Sequence, residues 1–245
     1  MNHGDYAASS ETQDEPRFEA LADDAWLIAF DSSTASVIDP QTNARVHAFA
    51  ARIRDAAPRW LRDLVPAYAT LAVFFDVAAI SATGARDWLR TRCMDGIDNE
   101  RADAPRVVEI PVCYGNAFGE DLDAVAAELD ITAVELIERH STSIYTVAMI
   151  GFAPGFPYLS GLDPSLALPR LATPRTRVPA GSVAIGGAQT GIYPRESPGG
   201  WRLLGRTPLR LFDPQRTSPS LLAPGDRVRF VAIDDDAFAR LERDA

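Results

Sequence analysis

The sequence predicts an α+β protein of two domains: a small sandwich of strands and helices, then a β-rich barrel or sandwich. Three observations lead there. Residues 17–92 mix short apolar runs with two segments of helical period. Residues 106–233 hold many short apolar runs bounded by Gly or Pro. Between them Asp95–Pro105 is polar, contains Gly96 and Pro105, and reads as a linker. A length of 245 residues suits one large domain or two modest ones.

The elements follow in order. Residues 1–16 are polar and read as a disordered leader, without the basic and apolar regions of a signal peptide. Arg17–Leu21 and Ala25–Phe30 read as short strands. Asn43–Ala56 has helical spacing, with Val46, Phe49, Ala50 and Ile53 on one face, and Pro58 ends it. Leu71–Asp76 is a buried-strand pattern and Ala82–Arg92 a second helix. Strands mixed with two helices over this length point to an α+β sandwich, with a ferredoxin-like arrangement as the expectation for 17–104.

The second domain, 105–235, opens on a strand at Arg106–Val112. Two short helices follow, Asp121–Asp130 and Thr132–His140; the second has Glu135 three residues after Thr132, a capping-box spacing. Ser143–Ile150 is a β-branched strand, and Ser182–Ile185, Leu209–Phe212 and Asp226–Ile233 are further strand candidates. Short strands with punctuated turns point to a barrel or sandwich. Residues 236–245 read as a tail, ending in a terminal helix.

Composition excludes several chemistries. All 24 cationic residues are arginine, so there is no Schiff-base lysine and no Walker A loop. Any anion must meet arginine, backbone N–H groups or a metal. No Asp/His metal cluster stands out, and two cysteines give no disulfide framework. No run is long and apolar enough to span a membrane, and a cytoplasmic protein is the expectation. The net charge of −10 argues against nucleic acid as a partner. From Gly151 to Phe230, however, ten arginines face four acids, a local balance of +6. That island suits a small anion or an acidic protein face; equally, its arginines can pair with carboxylates elsewhere in the chain.

Gly151–Asp213 concentrates Gly, Pro, Arg and aromatics beyond what a helix or strand pair needs. Glycine allows close backbone approach and proline stiffens the chain, so this block is the candidate binding surface. In GFAPGFPYL, Phe152, Phe156 and Tyr158 alternate with Pro154, Gly155 and Pro157 and form either a rigid aromatic binding edge or a core-lining bend. In YPRESPGGW, Arg195 offers a planar fork for a carboxylate or phosphate, and Gln189 and Tyr193 can orient a polar, amide-like substrate. Ser197, Pro198, Gly199, Gly200 and Trp201 complete the expected surface. Ser197 has neither a neighbouring histidine nor a GxSxG context, which argues against a nucleophile. His140 lies near a helix C-terminus, where the dipole favours imidazolium and a raised pKa. It reads either as a proton carrier or as a C-capping side chain.

Taken together, YGNAFGEDL, ERHSTSIYTV, GFAPGFPYLSGLD, PRTRVPAGSVAI, QTGIYPRESPGGW and LLGRTPLRLFD resemble the family of 5-oxoprolinase B subunits, also known as KipI or allophanate hydrolase subunit 1. The resemblance is detailed over residues 106–230 and weaker over 18–103; the ADAPR before the Arg106 strand departs mildly from the usual DGPR. It implies an N-terminal α+β domain and a cyclophilin-like β-barrel. It also implies one component of an ATP-dependent lactam hydrolase, inactive alone, that opens 5-oxoproline to glutamate with the A and C subunits. ATP, at a site shared with a partner subunit, and Mg2+ are the cofactors this would bring. Two other activities occur in the family: a protein inhibitor of a sensor histidine kinase, and a carboxyltransferase-type component of urea carboxylase systems. Membership alone does not choose among them.

Overall fold

In the computed structural model, residues 16–30, 39–94 and 106–244 are described. The leader, except Pro16, and the linker expected at 95–105 lie outside them. The chain divides into two compact units: Met1–Val65 with Ala69–Ile97, and Pro66–Tyr68 with Asp98–Ala245.

The first unit contains β1 (Arg17–Ala22), β2 (Ala25–Ala29), α1 (Pro40–Ala56), β3 (Leu61–Pro66), β4 (Thr70–Phe75) and α2 (Ala82–Met94). Its sheet runs β1-β2-β4-β3. Helix α1 starts three residues before the apolar period does. The reason is local: Asp39 caps it, accepting from Thr42 N at 2.8 Å, and Pro40 fills the first turn, where no N–H is needed. Its buried stripe of Val46, Phe49, Ala50 and Ile53 joins Ile28, Leu71, Val73 and Leu89 in one core. Strand β3 has no counterpart in the sequence reading. It is an edge strand with only Leu64 and Pro66 buried, and its outward charges hide the alternation while protecting the edge. The element order of this unit is ββαββα, whereas an unpermuted ferredoxin-like domain runs βαββαβ.

The second unit is built on a closed barrel. In chain order it has β5 (Val107–Tyr114), α3 (Leu122–Glu128), α4 (Ala133–Thr142), β6 (Ile144–Ile150), β7 (Pro157–Ser160), β8 (Arg175–Val178) and β9 (Ser182–Gly186). Then come β10 (Gln189–Ile192), β11 (Ser197–Gly199), β12 (Arg202–Arg206), β13 (Arg227–Ile233) and α5 (Asp235–Asp244). The barrel order is β10-β7-β6-β13-β5-β12-β9, and β8 pairs with β11 in a separate ribbon. Strands β5 and β13 run parallel from Val107↔Arg227 to Cys113↔Ile233. Their inward residues Ile110, Val112, Val228 and Phe230 meet Tyr145, Val147, Leu159 and Val183 in the core.

Two expectations change. Leu209–Phe212 is not a strand: Pro208 and Pro214 bracket it, and only Phe212 forms a bridge, to Ser220. The terminal helix is no loose tail either. Phe238 of α5 is buried, with its ring 4.5 Å from that of Phe118.

Candidate functional site

The glycine-rich block makes the wall of a small aromatic basin. After β6 the chain turns sharply at Phe152, where Ala153 N donates to Gly151 O at 2.7 Å across a residue with φ of 66°. A three-residue turn with positive φ is strained, more so for a bulky residue. The Phe152 ring is nevertheless 64% exposed, so burial does not compensate for the strain. Strain held by an exposed aromatic side chain makes Phe152 a candidate functional position.

Phe156 is the hub. Its ring lies 4.8 Å from Tyr158, 5.1 Å from Tyr193, 5.5 Å from Phe152 and 5.8 Å from Trp201, in edge or tilted geometries. Edge packing of this kind adds about 0.5–1.5 kcal/mol per pair beyond area burial. The glycines make room for the rings. A Cβ on Gly199 would stand 2.2 Å from the Tyr193 hydroxyl, and one on Gly186 would stand 2.7 Å from the Trp201 indole. On Gly191 it would meet Pro157 O at 2.9 Å and Trp201 at 3.0 Å. Gly186, Gly191 and Gly199 thus seat aromatic side chains.

The basin encloses about 100 Å³. Phe152, Phe156, Tyr158, Tyr193, Pro198, Gly199, Gly200 and Trp201 all line it, as does Arg170, which sequence reasoning missed. The Arg170 guanidinium lies 5.5 Å over the Trp201 ring, a cation–π distance. Desolvation raises the Tyr158 and Tyr193 hydroxyls, and the positive charge of Arg170 offsets part of this at both. Of the ten arginines between 151 and 230, six lie within 4 Å of a carboxylate: Arg175, Arg177, Arg202, Arg210, Arg216 and Arg229. Most of the island's charge is therefore locally paired, and the partners of Arg175, Arg202 and Arg229 sit on β5, α3 or the turn between them.

The remaining expected residues fall elsewhere. Arg195 is exposed on the β10–β11 turn and is not part of the basin lining. The Gln189 amide donates to the Tyr68 hydroxyl, so a protein partner already occupies it. Pro154 is exposed while Gly155 and Pro157 are buried, and all three shape the turn behind the wall. Gly155, with φ of 78°, passes so close to Phe212 that a Cβ would stand 2.8 Å from it. Ser197 Oγ is buried without a hydrogen-bond partner, and Ser197 lies outside the lining.

His140 requires a correction. It is fully buried, stacked 4.7 Å from the Phe230 ring, and desolvation pushes its pKa down to about 3. Its hydrogen bonds define the neutral tautomer. Thr190 Oγ1 donates to Ala184 O at 3.0 Å, so it accepts from His140 Nε2–H at 3.0 Å. Nδ1 then accepts from the Tyr114 hydroxyl at 2.8 Å. The helix-end argument for imidazolium fails because strands distant in sequence cover the ring, and a dipole effect of about 0.3–2 kcal/mol cannot offset that desolvation.

Among the described residues no group of three or more His, Cys, Asp or Glu could hold a metal. No helix among them is long and apolar enough to cross a membrane.

Comparison with known proteins assigns the family. A family model, "Carboxyltransferase domain, subdomain C and D", matches residues 16–222. The chain is 40% identical to the 5-oxoprolinase B subunit of Bacillus subtilis (strain 168), over 91% of this chain and 95% of that protein. It is 56% identical to the 5-oxoprolinase B subunit of Escherichia coli O157:H7 over 51% of this chain and 58% of that one. A crystal structure of TTHA0988 matches at 41% identity with a TM-score of 0.74, covering 86% of this chain and 40% of that longer one. The chain thus belongs to the family of 5-oxoprolinase B subunits, within the carboxyltransferase subdomain C and D group.

Proposed function

We propose that this chain is the B subunit of an ATP-dependent 5-oxoprolinase and acts with the A and C subunits to open 5-oxoproline to glutamate. The observation that carries this reading is the aromatic basin, built from the motifs that mark the family. A lactam is held by amide resonance, so opening it needs activation of the amide and an oriented ring. The basin supports the orienting role. At about 100 Å³ it is far smaller than the roughly 300–1,000 Å³ of drug-sized sites, so it suits a small ring.

The chain does not fit a nucleotide–Mg2+ site of its own. It has no lysine, no Walker A loop and, among the described residues, no cluster of three ligating side chains. We assign ATP handling to the partner subunits, and with it comes inactivity of this chain alone. A cytoplasmic heteromer follows from the same reading, as does the absence of nucleic-acid or membrane partners.

The β-rich unit is read as a cyclophilin-like barrel. The first unit is read as a permuted ferredoxin-like sandwich, because β4 lies between β2 and β3, the strands that α1 connects.

The test is reconstitution. The chain is co-purified with its cognate C subunit and assayed with the A subunit for 5-oxoproline-dependent ATP consumption. Turnover that needs all three supports the reading; a complete complex without turnover rejects it. The family's carboxyltransferase description favours one second reading, a component of a urea carboxylase system. It predicts instead a biotin carboxylase partner and urea-dependent ATP use.

A further inference from the structure

Resting on the 5-oxoprolinase reading, we propose that Arg170 recognises the substrate carboxylate and that the basin takes a small ring carrying one carboxyl group. The rest of the lining is aromatic, Pro or Gly, so among the described residues Arg170 supplies its only ionic group. Among the described residues no carboxylate lies within 4 Å of its guanidinium, whereas six neighbouring arginines of the block have one. A cation–π contact of this kind uses no N–H donor, so the donors of Arg170 remain available for a second partner, and its planar fork matches a carboxylate with two parallel hydrogen bonds.

The backbone around it is fixed from both sides. Arg202 Nε donates to Pro169 O at 2.9 Å while its Nη1 pairs with Glu128 at 2.7 Å. Leu171 N donates to Gly200 O at 2.7 Å, tying the other side of Arg170 to the opposite wall. Anchoring of this kind holds a binding group in place before the ligand arrives. The apolar faces of Trp201, Phe156 and Tyr158 then cover the methylene edge of a five-membered ring.

The test removes the charge from either partner. In the assembled complex, Arg170→Ala raises the KM for L-5-oxoproline roughly 10- to 100-fold, with a smaller change in kcat, as expected for loss of a hydrogen-bonded charge pair. Discrimination against 2-pyrrolidinone, the same lactam without a carboxyl group, is strong in the wild type and largely lost in Arg170→Ala. Arg177→Ala, which removes an equal charge from an exposed pair, leaves both parameters unchanged. An Arg170→Ala complex with wild-type KM and undiminished discrimination overturns the proposal and leaves the 5-oxoprolinase reading standing.

Should the wild-type complex not turn over 5-oxoproline, that reading falls. Arg170 is then decided on the full chain labelled with 5-fluorotryptophan, by the Trp201 resonance. A saturable shift with L-5-oxoproline that disappears in Arg170→Ala supports the proposal, and an unaltered resonance or an equal shift in both proteins overturns it.

Discussion

Gly199→Ala tests directly whether glycine in the block seats the rings. The new Cβ would stand 2.2 Å from the Tyr193 hydroxyl and 2.8 Å from two of its ring carbons. Tyr193 is only 2% exposed and its ring lies 5.1 Å from that of Phe156, so it cannot swing away without disturbing the hub. Overpacking of this kind costs about 1–3 kcal/mol. In a unit of this size that lowers Tm by roughly 2–12 °C. Gly200→Ala is the matched control, because the nearest atoms to its Cβ are 3.6 Å away and it lies within 0.5 kcal/mol or so of wild type. Urea unfolding followed at Trp201 by 5-fluorotryptophan NMR isolates the barrel unit, since Trp26, Trp60 and Trp88 all belong to the first unit. Tyr193→Phe removes the oxygen that collides, so the double variant recovers part of the loss as a coupling energy. If Gly199→Ala unfolds together with Gly200→Ala, and Tyr193→Phe shows no coupling, the steric argument is refuted.

Three other predictions concern the barrel. His140 shows no imidazole titration between pH 5 and 8 by nitrogen-15 NMR, whereas a midpoint near 6.5 would contradict its burial. Its folded pKa of about 3 lies below the ordinary 6.5, so the unfolded chain takes up the proton first. Its contribution to stability is therefore complete above pH 6.5 and is lost as pH falls toward 3. Thr190→Val leaves the buried Nε2–H of His140 without an acceptor and costs about 1–3 kcal/mol in chemical denaturation; an unchanged midpoint would exclude the assigned tautomer. Phe152→Gly relieves the positive-φ turn by about 1 kcal/mol but removes the ring pair with Phe156, worth a similar amount, so stability moves little while L-5-oxoproline binding to the complex weakens. A variant that binds normally would deny Phe152 its place in the site.

Legibility of the sequence followed the range of the forces involved. Helices α1 and α4 were readable because their determinants are local: an apolar stripe in one, and in the other the Thr132 cap, whose hydroxyl accepts from Glu135 N at 3.1 Å. The aromatic wall was readable because an ordering cost in Gly and Pro needs a return, and Phe156, Tyr193 and Trp201 do converge. Several strands of the second unit were not, since β7 and β10 of the barrel and β8 and β11 of the separate ribbon have only three or four residues and take their hydrogen bonds from distant partners. The burial of His140 is hidden from the sequence for the same reason: Tyr114, Thr190 and Phe230, remote in sequence, remove it from water. Arg170 carries no local signal that separates it from Arg177 or Arg206. Only the fold brings it over an indole 31 positions away in the chain.

The central claim, that the basin holds the substrate, is tested most directly in the complete complex labelled with 5-fluorotryptophan and titrated with L-5-oxoproline. The account predicts that the Trp201 resonance shifts saturably with a midpoint near KM, while those of Trp26, Trp60 and Trp88 stay in place. Turnover of 5-oxoproline with a motionless Trp201 resonance would contradict it.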